Sequence, residues 1–347
     1  MSFRYVRKTL GVLAAAAVAA TASIPAGAQT TTLRVQTGQP GASTFVFITA
    51  MQTVLQKYLP VQLNITSGQA STRSTLDAAR GNTDLFTSAP SINKYMGDGI
   101  AMFAKMKDAP ELFHKNVRSI LNHELGPYHI IAYESSGIKE LKDIKGKKGF
   151  IGPPGGAATV VALAVIEGST GYQPGKDYEQ AKLDWTSGNQ AFQDRQVDFA
   201  IIPTMLPSPN IEQFALLDKI RLLDIPAAAV ETAPMKKILN IPGRTMVTIP
   251  PDAYGANQAN TEPVKAVGSW VGLSTRTEMD EELIYNITKT IFEHIDEIHS
   301  AAAFLKGITT KTALNEMNAP LHPGALRYYR EIGLQIPDAL IPPEAKK

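Results

Sequence analysis

The order in which strand-like and helix-like segments follow one another constrains this chain more than any other feature of its 347 residues. Leu33-Arg34-Val35-Gln36-Thr37-Gly38 alternates and then breaks on glycine, as a strand does. Residues 43–59 carry Phe47, Met51, Val54, Leu55 and Tyr58 at helical spacing and stop at Pro60. Val61-Gln62-Leu63-Asn64-Ile65 alternates again, residues 71–80 read as a helix stopped by Gly81, and residues 83–89 read as a third strand. This β-α-β-α-β rhythm is that of an open, largely parallel sheet. It then repeats. Strands are predicted at 129–133 and 148–152, a short amphipathic turn of helix at 137–146 and a helix at 157–167. Further strands are predicted at 183–185 and 198–203, with a helix at 190–196 between them. The last third reads as mostly helical, with Leu283, Ile284, Ile287, Ile291, Ile295 and Ile298 on one face of 281–305. Two α/β units in series predict two lobes facing each other across a cleft, with lobe one at 29–130 plus 206–347 and lobe two at 131–205.

Composition narrows what such a pair of lobes can do. There is no cysteine. Thiol nucleophiles, disulfides, iron–sulfur clusters and cysteine-ligated zinc are thereby excluded, and packing alone must hold the fold. The N-terminus carries Arg4, Arg7 and Lys8, then an uncharged run at 10–20, then Ala26-Gly27-Ala28. Positive, apolar and small are the three parts of a secretory signal, so residues 1–28 are expected to be cleaved before Gln29 and the protein to act in the periplasm. The apolar run is too short for a permanent membrane span. Without those three cations the formal net charge of +2 becomes −1. With no basic block or basic stripe interleaved with aromatics, a nucleic-acid partner is not expected.

Ligands of open α/β sheets sit at the carboxyl ends of the strands. Here those ends are Thr37-Gly38, Thr66-Ser67-Gly68, Thr87-Ser88, Gly152-Pro153-Pro154 and Pro203-Thr204, all small or polar and none charged. Gly155-Gly156-Ala157-Ala158-Thr159 opens a helix directly after a strand, and Ser67-Gly68-Gln69-Ala70-Ser71 repeats the arrangement in the first unit. Small residues let a ligand approach the backbone, and the free N–H groups of a first helical turn attract an anion. Either loop alone is equally explained as an ordinary cap. The candidate contacts are therefore Ser67, Gly68, Gln69, Ala70, Ser71, Thr87, Ser88, Gly155, Gly156, Ala157, Ala158, Thr159 and Thr204, with Tyr133 offering a hydroxyl near the crossing between lobes. Trp185 is expected to plug a core, and His322 to fix a turn by bonding backbone.

Enzymatic readings are weak. Ser91-Ile92-Asn93-Lys94 and Ser136-Gly137-Ile138-Lys139 match Ser-x-x-Lys, but no Ser-Asp-Asn follows and Lys311-Thr312-Ala313 lacks the last glycine of Lys-Thr-Gly. His294 and His299 do not share a helix face, and His123-Glu124 has no second histidine four residues after the first, so no metal site is expected. No cofactor is expected.

The chain resembles the TAXI-type substrate-binding subunits of TRAP (tripartite, ATP-independent periplasmic) transporters. Thr37-Gly38 with Gly41, Thr66-Ser67-Gly68-Gln69-Ala70-Ser71 leading to Gly81-Asn82-Thr83-Asp84, and Gly137-Ile138-Lys139 with Leu141-Lys142-Asp143-Ile144-Lys145-Gly146-Lys147 carry the likeness. So do Gly152-Pro153-Pro154-Gly155, Asp198-Phe199-Ala200, and Pro320-Leu321-His322-Pro323-Gly324-Ala325 followed by Tyr328-Tyr329-Arg330-Glu331. The family often has Gly-Thr-Tyr-Tyr where this chain has Ala42-Ser43-Thr44-Phe45, and asparagine where it has Ser74; the resemblance implies that both loops face the cleft, which adds Ser43 and Thr44 to the candidate contacts. The resemblance implies a type II periplasmic-binding-protein fold acting as a monomer. It further implies a small carboxylate ligand (an amino acid, a 2-oxo acid or a dicarboxylate) and a small and a large TRAP membrane subunit, separate or fused, as partners. A receptor that shows its ligand-bound form to a sensor kinase fits the same residues, and a serine hydrolase built on Ser-x-x-Lys is the remote rival.

Overall fold

A computed structural model describes residues 30–346, so the signal segment assigned to 1–28 lies outside the described residues. Along the chain come β1 (Thr31–Gln36), α1 (Ser43–Tyr58), β2 (Val61–Thr66), α2 (Ser71–Ala79), β3 (Leu85–Ser88), α3 (Pro90–Gly97), α4 (Ala109–Asn116) and β4 (Val117–Tyr133). β5 (Lys148–Phe150), α5 (Ala157–Thr170), β6 (Glu179–Gln180), α6 (Trp185–Gln193), β7 (Phe199–Pro203), α7 (Pro209–Leu217), β8 (Ile220–Leu222) and α8 (Ala233–Leu239) follow. The chain closes with β9 (Arg244–Ile249), β10 (Val264–Arg276), α9 (Glu281–Glu293), α10 (Ile295–Ala301) and α11 (Pro323–Glu331). Local chemistry sets several of these limits. α1 stops where Pro60 follows Leu59, and α3 and α7 start on prolines whose fixed φ suits a first helical turn.

The strands form one sheet in the order β2-β1-β3-β10-β4-β7-β5-β6, with β8 on β4 and β9 on β10. β1 lies parallel to both β2 and β3, and β5 parallel to β6 and β7. Two long antiparallel strands, β4 and β10, join these parallel groups. Each half has helices on both faces. Leu33, Val35 and Leu85 meet Phe47, Met51 and Leu55 of α1 and the inner side of α9, while Phe86 packs with α2, α3 and α4 on the other face. In the second half the period of two is clean. Ile130 and Ala132 of β4 with Phe199 and Ile201 of β7 pack under α5 and α8, and Ile131, Tyr133, Ala200 and Ile202 pack against α6 and α7.

The architecture is the expected two-lobed α/β arrangement, with three local differences. Residues 183–185 do not form a strand: Asp184 accepts the Ser187 N–H at 2.8 Å and so caps α6, which starts at Trp185, and the strand lies earlier, at β6. The helix expected over 281–305 is three segments, α9, α10 and a 3-10 turn at Ala303–Gly307. The segment after 205, assigned from sequence to lobe one, packs first with the second half. Ile211, Phe214, Leu222, Met235, Ile238 and Ala266 all lie in its two clusters, and the chain returns to the first half at Arg244, which meets Ser91 of α3, and then along β10.

Candidate functional site

The carboxyl ends of the parallel strands in both halves face one another across two joined cavities of about 90 Å³ each, which share Thr44, Ser71, Leu125, Trp185 and Pro203. The first half contributes the starts of α1 and α2, and the second contributes the start of α5, the first residue of α6 and the end of β7. β4 and β10 supply the back wall through Leu125, Tyr128, Trp270 and Val271. The two halves touch around this space. A Cβ on Gly68 would stand 3.8 Å from Thr186 Oγ1, and Ala157 of α5 is buried among Leu76, Phe86 and Ile92 of the opposite half. The cleft is closed in this conformation.

Helix starts dominate one wall. Ala42, Ala70 and Gly156 are the N-cap residues of α1, α2 and α5, and none of them caps its helix with a side chain. The first N–H groups of those helices thus lack the usual side-chain acceptor.

Arg244 provides what the strand ends lack. Among the described residues it is the only charged side chain lining either cavity. Gly243 precedes it at φ +74°, where a Cβ would lie 3.1 Å from Pro90 and 3.3 Å from Trp270, so the turn into β9 needs glycine to seat the arginine between α3 and β10. There Arg244 is 7 % exposed, donates from Nη2 to Ser91 Oγ at 2.9 Å, and stacks over the Tyr128 ring at 5.3 Å. Its Nε has no hydrogen-bond partner, and among the described residues no carboxylate pairs with it. Burial pushes the Tyr128 phenol up, and the guanidinium partly offsets the rise, so Tyr128 stays a neutral donor. A buried cation without a counter-ion is costly, and an anion in the cavity would remove that cost.

The structure distributes the sequence candidates unevenly. Thr44, Gln69, Ala70, Ser71, Gly156, Ala157, Ala158 and Thr204 line the cavities. Ser67, Gly68 and Gly155 stand at the rim, the first and last exposed. Ser43 and Thr87 are buried away from the cavity surface, their hydroxyls without partners. Ser88 is occupied by Thr75 at 3.0 Å and Asn93 at 2.9 Å, and Thr159 donates to the Pro153 carbonyl at 2.7 Å, fixing the loop rather than facing a ligand. Tyr133 does not reach the cleft: it stacks on Phe192 at 4.6 Å with Arg195 over its other side at 4.5 Å. Trp185 is half-buried: it packs against the core of the second half, edge-on to Phe150 at 5.5 Å, and also forms part of the cavity wall. His322 behaves as expected, capping α11 through Nδ1, which accepts the Gly324 N–H at 3.2 Å. Arg244, Trp270, Leu125 and Tyr128 were not singled out from sequence.

Neither Ser-x-x-Lys pair is a dyad. Ser91 serves Arg244 while Lys94 pairs with Asp98 at 2.7 Å, and Ser136 donates to the Tyr133 carbonyl at 2.6 Å. Among the described residues no His, Asp or Glu cluster could hold a metal ion, and no helix is long and apolar enough to cross a membrane.

The sequence profile of the NMT1-like family matches residues 35–333, nearly the whole described chain. The chain belongs to the NMT1-like family. Similar solved structures include several solute-binding proteins, at low identity. The alkanesulfonate-binding protein SsuA from Xanthomonas axonopodis pv. citri, bound to MOPS, is 15 % identical over 87 % of this chain and 84 % of its own, with a TM-score of 0.44. The binding component of an ABC phosphonate transporter from Pseudomonas aeruginosa is 12 % identical over 80 % of each chain, with a TM-score of 0.46. A TctC solute-binding protein from Polaromonas is 14 % identical over 82 % of this chain and 88 % of its own, with a TM-score of 0.40. The NMT1-like chain carries its motif Pro320-Leu321-His322-Pro323-Gly324-Ala325 at the start of α11, packed against α9 far from the cavities, so that motif serves the fold and not the ligand.

Proposed function

We propose that the protein is an exported solute-binding protein that closes its cleft on a small carboxylate and passes it to a TRAP-type membrane transporter as a TAXI-like receptor subunit. The observation that carries the reading is Arg244, buried on the cavity wall with Nε unpartnered and no carboxylate beside it. The carboxylate takes the free edge of the guanidinium, and the first-turn N–H groups of α2 and α5 complete its shell. Those two helices belong to opposite halves of the sheet. The full set of donors therefore assembles only when the cleft is closed, and differential contact in that state is what drives closure.

The test is a thermal-shift and calorimetric titration of the mature chain, stripped of bound ligand, against a panel of small carboxylates. A ligand at one hundred times its dissociation constant stabilises by about 2.7 kcal/mol, which such a screen resolves. Arg244→Ala is expected to abolish the shift, and Arg244→Lys to retain a weaker one, since lysine keeps the charge but loses the planar fork. A carboxylate that binds Arg244→Ala as tightly as the parent would overturn the reading. For the transport partner, uptake reconstituted with the membrane subunits should collapse when the ion gradient is dissipated and should not need ATP.

A further inference from the structure

The cavity around Arg244 is more selective than a generic anion site. Both tryptophans of the chain, Trp185 and Trp270, line it. Around them stand Ile92, Leu125, Val271 and the ring of Tyr128. Among the described residues no aspartate or glutamate lines either cavity, and no cation besides Arg244 does. At the far end the polar lining is neutral: Gln39, Gln69, Asn210 and Thr204.

We infer that the ligand is an apolar, aromatic-bodied monocarboxylate without an ammonium group, its acid on Arg244 and its body between Trp185 and Trp270. This rests on the carboxylate reading above and narrows it. An α-amino acid would bring a cation into a closed cavity that offers no carboxylate to pair with it. A dicarboxylate would bring a second anion with no second cation. Either charge would be desolvated without a charged partner, and such a group costs several kcal/mol. A flat apolar body instead trades water for indole and aliphatic surface. The neutral amides and hydroxyl at the far end leave room to hydrogen-bond one uncharged polar group, such as a ring hydroxyl. The amino acids and dicarboxylates expected from sequence resemblance are thus disfavoured by the lining itself.

Three probes isolate the terms. 3-Phenylpropanoate and phenylalanine share body and acid and differ by one ammonium, while succinate exchanges the ring for a second carboxylate. Affinity is measured by calorimetry on the stripped mature chain, with tryptophan fluorescence read in parallel. 3-Phenylpropanoate is expected to bind at least about tenfold tighter than either comparison compound and to change the tryptophan emission. Trp185 is half-buried, so Trp185→Ala should fold as the parent does and bind about tenfold more weakly; Trp270→Phe, which keeps an aromatic wall, should lose less. Tighter binding of succinate, 2-oxoglutarate, glutamate or phenylalanine, with dependence on Arg244 intact, would overturn this inference and leave the carboxylate-receptor reading standing. If no carboxylate in either set binds, the receptor reading fails and this inference with it.

Discussion

At the scale of single residues, a buried relay links the back of the cleft to its wall. The Pro127 carbonyl accepts from His129 Nδ1 at 3.1 Å, which leaves Nε2 to accept the Tyr254 hydroxyl at 2.6 Å. Tyr254 in turn accepts the Ser208 N–H at 3.2 Å, and the Ser208 hydroxyl lies 3.1 Å from that of Thr204, which faces the cavity. Each donor meets one acceptor, so the relay fixes the His129 tautomer. Tyr254→Phe keeps the ring and removes both bonds at the hydroxyl, stranding His129 Nε2 and the Ser208 N–H in the interior. The expected cost is about 1–3 kcal/mol in urea unfolding, with a smaller loss of ligand affinity through Thr204. Unchanged stability would mean that water replaces the phenol. The contrast between such residues and those found from sequence is physical. Ala70, Ser71 and Gly156 to Ala158 are visible because a small residue opening a helix after a strand is a local pattern. Arg244 is not, because β9 shows no clean alternation and only pairing with β10 brings it to Ser91. Asp184 caps α6 in place of the strand expected at 183–185, and an aspartate just before a helix is a signal that the sequence does contain.

At the scale of elements, the two crossing strands β4 and β10 join the halves. β4 and β10 shift register between Ser269 and Trp270, where Leu125 is the extra residue on β4. A bulge bends a strand and locally increases its twist, and here it also turns Leu125 into both cavities. Gly126 follows at φ +116°, a conformation closed to other residues, and a Cβ there would overlap the Thr204 carbonyl oxygen and lie 2.9 Å from Met205 Cα. Gly126→Ala is therefore expected to destabilise by about 1–3 kcal/mol and to weaken ligand binding, because the backbone that must move is that of Thr204. Denaturant midpoint and dissociation constant together check this; a variant equal to the parent in both would show that the crossing is slack. These strands were also the part of the fold least legible in the sequence. The first half of β4 carries buried Arg118, Ser119, Asn122 and His123, and β10 carries Gly268, Ser269, Gly272 and Ser274. Some of their polar groups find distant partners, as when Asn122 donates to the Asn315 carbonyl at 3.1 Å and Arg118 pairs with Glu344 at 2.7 Å, while Ser119 Oγ and His123 Nε2 stay buried without one. Neither alternation nor an apolar run survives. The parallel strands, which need only helices above and below, show theirs openly.

At the scale of the whole molecule, three buried histidines tie stability to pH. His123 beside Phe47, His129 in the relay and His322 at the cap of α11 are all lowered from 6.5 to about 4, chiefly by burial. Such a ring stays neutral in the folded protein at a pH where the unfolded chain would protonate it. Between 6.5 and about 4 the unfolded state therefore binds more protons, and stability falls as pH falls. Above 6.5 the three rings are neutral in both states and their slope vanishes; below about 4 it vanishes again because they are charged in both. With three rings acting together, the slope near pH 5 approaches about 4 kcal/mol per pH unit. That is large against the roughly 5–15 kcal/mol that holds a typical domain, so the protein is expected to unfold in mild acid before its carboxylates are neutralised. Urea midpoints measured from pH 8 to pH 4 should be flat at first and then drop steeply. His322→Asn supplies the decisive comparison, since asparagine can still accept the Gly324 N–H and keep the cap while removing one titrating ring. It should cut the acid slope by about a third and leave the plateau nearly unchanged. A slope equal to the parent's would mean that His322 already carries its proton in the folded state, which would break its acceptor bond to Gly324 and require a different cap for α11.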